Sequence, residues 1–275
     1  MYLPRQLAVT EHVPPSGPPD SPLLVLVHGS LDRSRSFSRV LRRLGDLHTV
    51  VYDRRGYDKS QNALPLNTTL DGHIDDLLTV IDGRPSVVIG HSYGGDIALG
   101  AALRDGGTSD ILSVAAFESP LPWLGTWSRR PATSSAGTRP PISANPDDPE
   151  ESGDAAEHFF RRMVGDAAWD RLPDSAKAAR RGDGPALAAE LHAIRLTEAP
   201  FDVSGLRIPA VYGRGTDSLP HHRDAVSWLV AHTPDPALVE ISGAHHGAHL
   251  THPDAFADMA RLAVTRVGRP AVTNA

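Results

Sequence analysis

The sequence predicts an α/β fold in which a mostly parallel central sheet is flanked by helices. Short, continuous apolar runs such as 23–27 and 111–117 are typical of parallel strands that are covered on both faces. Segments with apolar residues at helical spacing, such as 68–81, separate these runs. A chain of 275 residues is long enough to bury the core of one large domain of this kind.

The predicted strands and helices alternate along most of the chain. Strands are predicted at residues 2–13, 23–27, 47–52, 86–89, 111–117, 208–213 and 237–241. Helices are predicted at 34–44, 68–81, 96–103, 176–181, 185–199 and 221–232, and two more carry Phe159 and Phe256. Residues 131–151 are rich in Pro, Ser, Gly and Asp, which indicates a loop.

The stretch Gly90-His91-Ser92-Tyr93-Gly94 joins a predicted strand directly to a predicted helix. In such a setting the central serine lies on a sharp turn that exposes its hydroxyl at the end of the sheet. The glycines lack side chains and so allow the strand and the helix to approach closely. The pattern predicts that Ser92 is a nucleophile. A βα turn without chemistry is the alternative, and the flanking strand and helix argue against it.

Two further motifs follow predicted strands, namely His28-Gly29-Ser30 and Asp53-Arg54-Arg55-Gly56. With these residues and the serine turn, the chain resembles the α/β-hydrolase fold superfamily. The resemblance implies that the backbone N–H groups of Ser30 and Tyr93 form an oxyanion hole, with Leu31 as the alternative to Ser30.

The resemblance also implies a base and an acid for Ser92. The family stretch Gly-x-x-His-x-x-His-Leu-x-x-Pro aligns with residues 243–253 and makes His246 the base. The acid of the superfamily usually follows a later strand in a Gly-rich turn, where this chain has Asp217. Glu118 is a rival, because it follows the strand at 111–117 and the order serine, acid, histidine fits either residue. The expected triad is Ser92, Asp217 and His246.

Residues 119–200 resemble the helical cap that many such hydrolases insert into their core. The predicted organisation is a first core part at 1–118, a cap at 119–200 and a second core part at 201–275. Aromatic residues gather in the cap although they make up only 5% of the chain. We expect an apolar substrate pocket lined by Leu31, Trp123, Trp127, Phe159 and Phe160. Packing inside the cap is the alternative role for the aromatic residues.

Composition excludes several classes of function. The net charge of −6 argues against nucleic-acid binding, and the absence of cysteine rules out disulfides and thiolate nucleophiles. The first residues lack the pattern of a signal peptide and no apolar run is long enough to span a membrane, so a cytoplasmic protein is expected. We expect no cofactor. We also expect no metal at His245, His246, His249 and His252, because they precede the last helix and so lack helical facing.

The sequence therefore predicts a serine hydrolase that cleaves a carboxylic ester, a thioester or a lactone of a small, partly apolar substrate through an acyl-enzyme on Ser92. Hydrolysis of a carbon–carbon bond and acyl transfer are alternatives that could use the same triad. A protein that only binds a small ligand is an alternative of another class. The protein is expected to be a monomer or a homodimer, with no nucleic-acid or membrane partner.

Overall fold

The computed structural model describes residues 7–15, 21–63, 69–106, 110–124, 144–193 and 198–268. These residues form a seven-stranded sheet. In chain order its strands are β1 (Val9–His12), β2 (Leu23–Val27), β3 (Thr49–Tyr52), β4 (Ser86–His91), β5 (Ile111–Phe117), β6 (Ala210–Gly215) and β7 (Pro236–Ile241).

The strands are arranged in the order β1-β3-β2-β4-β5-β6-β7. Strand β1 is antiparallel to β3, and every other described pair is parallel. The loops that follow β2, β4, β5, β6 and β7 therefore all leave from the same edge of the sheet. This edge is where the superfamily resemblance predicts the site.

Helices cover both faces of the sheet. In chain order they are α1 (Ser38–Leu41), α2 (Leu70–Ile81), α3 (Tyr93–Asp105), α4 (Pro149–Val164), α5 (Asp166–Asp170), α6 (Asp174–Gly182), α7 (Gly184–Ala193), α8 (Pro220–His232), α9 (Ala248–Thr251) and α10 (Pro253–Thr265). No helix in the described part of the chain has the length and apolar character that crossing a membrane requires.

The core has two halves, one on each face of the sheet, and alternate strand residues point into them. In β2, Leu23, Val25 and Val27 belong to the half that contains α2, α3 and α8. Leu24 and Leu26 belong to the half that contains α1 and α10. All five are buried, which explains why the strand reads as a continuous apolar run. The predicted α/β fold class is confirmed.

Several predicted boundaries differ from the observed ones. Within the described residues 7–15 the first strand covers Val9–His12, and its four residues are exposed at the sheet edge. Residues 2–6 of the predicted strand lie outside the described residues. Residues 34–44 begin with a 3₁₀ turn, Ser34–Phe37, before the short α1. Helix α4 begins at Pro149, inside the predicted loop, because the Asp148 carboxylate accepts hydrogen bonds from the N–H groups of Glu150 and Glu151. Residues 131–143 of that loop lie outside the described residues.

Helices α4 to α7 lie between β5 and β6 in the chain, within the span predicted as a cap. We call them the inserted helices. Their apolar contact with the core includes Leu31, which packs with Ala156 of α4 and Leu187 of α7. The domain boundaries 1–118, 119–200 and 201–275 stay a prediction.

Candidate active site

Ser92 lies at the turn between β4 and α3 with φ 54° and ψ −128°, a conformation that L-residues rarely adopt. The close approach of the two elements requires glycine on both sides. A Cβ on Gly90 would lie 2.1 Å from the carbonyl oxygen of Gly94, and a Cβ on Gly94 would lie 2.2 Å from that of Val27. The serine turn therefore has the sharp geometry that its sequence predicts.

Glu118 lies beside Ser92 because strands β4 and β5 are neighbours. His91 and Phe117 are paired in register, and the Ser92 N–H donates to the carbonyl oxygen of Phe117 at 2.9 Å. Glu118 is the next residue after β5. It is fully buried and has a positive φ of 50°. Parallel pairing thus places this carboxylate one strand away from the serine.

His246 extends from the loop after β7 to the buried Glu118 carboxylate. Its Nδ1 lies 2.8 Å from Glu118 Oε2, a distance at which the Nδ1–H group donates to the carboxylate. The other carboxylate oxygen, Oε1, accepts the N–H of Gly215 at 2.8 Å. With Nδ1 engaged, the ring is fixed in the tautomer that leaves Nε2 as an acceptor.

Asp217, the expected acid, has a different setting. Its side chain is exposed, and Oδ1 accepts the hydroxyl of its neighbour Thr216 at 3.0 Å. Its carbonyl oxygen lies 2.7 Å from Nδ1 of His245, the histidine that precedes the expected base. The structure departs from the preference for Asp217 over Glu118, because the carboxylate that it brings to His246 is that of Glu118. Glu118 and Asp217 both follow strands at the same edge of the sheet. They differ in that the Glu118 side chain is buried and the Asp217 side chain is exposed.

Two more histidines, which were not predicted as site residues, lie beside His246. The His91 Nε2–H donates to the carbonyl oxygen of His246 at 2.8 Å. The His222 ring stacks on that of His246, with centroids 4.2 Å apart. His91 could have been found from its place beside Ser92 in the motif. His222 lies on α8, distant in sequence, and no local pattern indicates it.

The loop after β2 runs directly against the serine. A Cβ on Gly29 would lie only 2.9 Å from Ser92 Cβ, so the next residue, Ser30, begins close to the nucleophile. The Ser30 hydroxyl donates to Glu190 Oε2 at 2.8 Å. Tyr93, the other expected oxyanion donor, occupies the first position of α3, where backbone N–H groups lack helical partners.

Glu190 belongs to a buried charged cluster that joins the inserted helix α7 to the core. Arg54 Nη1 donates to Glu190 Oε1 at 2.5 Å, and both side chains are fully buried. Arg54 Nη2 also donates to the carbonyl oxygen of Gly29 at 3.1 Å. The guanidinium carbon lies 4.9 Å from the ring centroid of Tyr57 and 5.3 Å from that of Tyr93. The Arg54–Glu190 cluster was not predicted from the sequence.

The charges in this cluster alter the pKa values of its members. Burial alone would raise the pKa of Glu190, but Arg54 and His73 outweigh it and lower the pKa to about 2. Burial and the charge of Arg54 lower the pKa of His28 to about 3. Glu190 is thus ionised and His28 neutral. A signal for the cluster existed in the sequence, since Glu190 lies three residues after Leu187 on the apolar side of its helix.

The described residues of the predicted pocket lie in two different parts of the structure. Leu31 is buried, has a positive φ of 52°, and contacts the inserted helices. Phe159 and Phe160 are partly buried against the same apolar cluster. Trp123 packs edge-on against Phe201, with ring centroids 5.7 Å apart, beside the α3 side of the core. Trp127 lies outside the described residues.

The four histidines of the 245–252 stretch are separated by the fold. His245 contacts Asp217, His246 contacts Glu118, and the ring of His252 is 2.9 Å from the Thr251 hydroxyl. His249 instead lies against Asp32 and His91. Among the described residues, two groups have the composition of a metal site. They are Glu118, His222 and His246, and Asp32, His91 and His249.

Comparison with known proteins identifies related sequences. The model of the alpha/beta hydrolase family matches residues 24–259. An uncharacterized hydrolase of Bacillus subtilis, YraK, is 36% identical over 88 residues, which are 30% of this chain and 32% of that protein. Lipase LipV of Mycobacterium tuberculosis is 30% identical over 91 residues, 32% of this chain and 34% of the lipase. The matched stretch spans about a third of the length of each relative.

Solved structures resemble the chain over nearly all of its length. The enol-lactonase from Burkholderia xenovorans LB400 has a TM-score of 0.71 at 19% identity, covering 94% of this chain and 96% of that one. A thermophilic esterase from Thermogutta terrifontis has a TM-score of 0.69 at 16% identity, covering 96% and 94%. At 19% and 16% identity, these similarities show a common fold. Because the family match extends over most of the sequence and the sheet has the corresponding order, the chain belongs to the alpha/beta hydrolase family.

Proposed function

We propose that the protein is a serine hydrolase whose catalytic triad is Ser92, His246 and Glu118. The observation that carries the proposal is the 2.8 Å contact between His246 Nδ1 and the buried Glu118 carboxylate, on the strand next to the serine turn. A nucleophilic serine requires a base, and the base requires a partner that fixes its tautomer. The three residues supply these roles.

The proposed reaction has two halves. His246 Nε2 accepts the Ser92 proton while Oγ attacks the substrate carbonyl, and Glu118 offsets the positive charge of the imidazolium. The backbone N–H groups of Ser30 and Tyr93 bind the negatively charged oxygen of the tetrahedral intermediate. His246 then protonates the leaving group. Water, activated by the same histidine, releases the acyl group from Ser92.

The proposed substrates are carboxylic esters, thioesters or lactones of small, partly apolar molecules. The family membership and the similarity to a lipase, an esterase and an enol-lactonase support an ester bond as the target. We propose that the inserted helices act as the cap, with Leu31, Phe159 and Phe160 on its contact with the core. Apolar side chains at that position favour an apolar acyl group.

The experiment that tests the proposal is hydrolysis of p-nitrophenyl esters of increasing acyl length by the wild type and by Ser92→Ala. The substitution should lower kcat on the order of 10⁶-fold and leave the circular dichroism spectrum unchanged. A fluorophosphonate should label Ser92 alone, as read by mass spectrometry of the digested protein. Wild-type rates in Ser92→Ala, or label on another serine, would overturn the assignment.

A further inference from the structure

Asp32 after β2, His91 at the end of β4 and His249 in α9 lie together near the serine turn. Asp32 lies two residues after Ser30, and His91 directly precedes Ser92. His249 lies three residues after His246. One ligand atom of each side chain lies within 4.8 Å of the other two. None of the three takes part in the proposed triad.

His91 already has the tautomer that a metal ligand needs. Its Nε2–H donates to the carbonyl oxygen of His246, so Nδ1 carries a lone pair. That nitrogen is buried and has no hydrogen-bond partner among the described residues. A metal-bound histidine typically donates its other N–H to a carbonyl in this way.

His249 presents a second unsatisfied nitrogen to the same place. Its ring is buried between Phe37, Phe256 and His91, and neither ring nitrogen has a hydrogen bond in the described part of the chain. Nε2 lies 3.4 Å from Asp32 Oδ2. This separation exceeds the usual N–H···O range of about 2.7–3.2 Å. It matches the separation of about 3.4 Å between two ligands of a tetrahedral zinc ion at normal bond lengths.

Asp32 supplies the negative charge of this cluster. Its carboxylate accepts the Ser36 hydroxyl at 2.9 Å, which orients it, and its side chain is 18% exposed. Two neutral imidazoles with one carboxylate form a ligand set that suits zinc and related first-row divalent ions. A water molecule would complete the four ligands on the exposed side.

We propose that Asp32, His91 and His249 form a site for a divalent ion of the zinc type, with ligand atoms Oδ of Asp32, Nδ1 of His91 and Nε2 of His249. The ion is structural. It joins the loop that carries Ser30, the turn that carries Ser92 and the loop that carries His246, and it does not take part in the hydrolytic steps. The proposal stands or falls independently of the triad, because its test measures binding rather than turnover.

The test is calorimetric titration of the chelator-treated full chain with zinc chloride, followed by thermal melts. We expect one ion per chain and a Tm about 5 °C higher at free zinc 100-fold above Kd. Cobalt in place of zinc should give the visible absorption of a tetrahedral site. Asp32→Asn, which keeps the size of the side chain, and His249→Gln should each weaken binding at least tenfold.

Two control variants distinguish this site from other binding. His245→Gln removes an exposed histidine of the same loop and should leave the affinity unchanged. Glu118→Gln removes the carboxylate of the other candidate group and should do the same. Absence of zinc binding by the wild type, equal affinity in Asp32→Asn and the wild type, or loss of binding in Glu118→Gln would each overturn the proposal. If His249→Gln fails to fold, Asp32→Asn decides, since its melting temperature without zinc reports its folding.

Discussion

Glu118 and Asp217 are carboxylates on loops that follow neighbouring strands, and their surroundings differ. Glu118 is fully buried between the Gly215 N–H and His246, whereas Asp217 is exposed. Replacing Glu118 by Gln removes the charge that supports the imidazolium and allows the wrong tautomer. We expect Glu118→Gln to lower kcat on the order of 10⁴-fold and Asp217→Asn to change it little.

The measurement is kcat/KM for a short-chain p-nitrophenyl ester, with a thermal melt of each variant. The melt is needed because Glu118→Gln also changes a buried hydrogen bond to Gly215. The opposite pattern, with full activity in Glu118→Gln and a large loss in Asp217→Asn, would restore the acid that the sequence resemblance implied.

At the scale of elements, the inserted helix α7 is attached to the core through Glu190. Its carboxylate pairs with Arg54 and accepts the Ser30 hydroxyl, and His73 Nε2 lies 3.0 Å away. Glu190→Gln would leave the Arg54 charge buried without a counter-ion. Such a loss costs about 3–5 kcal/mol of unfolding free energy. We also expect kcat to fall, because the Ser30 loop loses the charged partner that orients it.

A matched control lies on the neighbouring inserted helix. Glu157 of α4 pairs with Arg161 and Arg181, but its side chain is 30% exposed. Glu157→Gln should therefore cost less than about 1 kcal/mol. Urea unfolding of both variants provides the comparison. Equal destabilisation would mean that the Glu190 cluster contributes no more than a surface ion pair.

At the scale of the whole molecule, buried neutral histidines make stability depend on pH. Burial and Arg54 lower the pKa of His28 to about 3, and the same causes lower the pKa of His73. The unfolded chain, whose histidines titrate near 6.5, then binds protons that the folded chain does not. Both should lower the free energy of unfolding as the pH falls below about 6.5, and His28 should cost about 1.4 kcal/mol per pH unit.

Asp183 has the opposite effect on the pH dependence of the unfolding free energy. Burial raises its pKa to about 6 although Arg33 lies 2.8 Å away, so between pH 6 and about 4 the folded state holds a proton that the unfolded state lacks. Two histidines against one carboxyl group leave a net loss of unfolding free energy as the pH falls through that range. Urea unfolding at pH 7, 6 and 5 measures it. Asp183→Asn should make the loss steeper, and a flat profile in the wild type would contradict the histidine assignment.

The sheet could be predicted from the sequence because its strands carry the signal locally. The five consecutive buried residues of β2 read as an apolar run, and Ser92 lies in a motif whose setting is itself local. The acid could not be chosen in this way. Glu118 and Asp217 have similar positions relative to their strands, and only the path of the His246 loop decides between them.

Contacts between segments that are distant in the chain could not be predicted from the sequence either, because they depend on how the loops are arranged in space. Arg54 and Glu190 are separated by 136 residues, and nothing near either residue indicates the other. His91 and His249 come together because β4 ends, and the segment after β7 begins, at the same edge of the sheet. Local patterns specify elements, whereas the pairing of side chains depends on the tertiary arrangement.

The unusual backbone conformation at Ser92 means that selection for stability and selection for catalysis favour different residues at this position. Its dihedral angles suit glycine, and relief of such strain amounts to about 1–3 kcal/mol, more than the roughly 0.5–1 kcal/mol that glycine loses through its freer unfolded chain. In a mutant library sorted for heat resistance alone, glycine should therefore become enriched at position 92. In the same library sorted for ester hydrolysis, glycine should disappear, since it brings no nucleophile. Sequencing both pools would reveal the trade-off between stability and catalytic activity at this position.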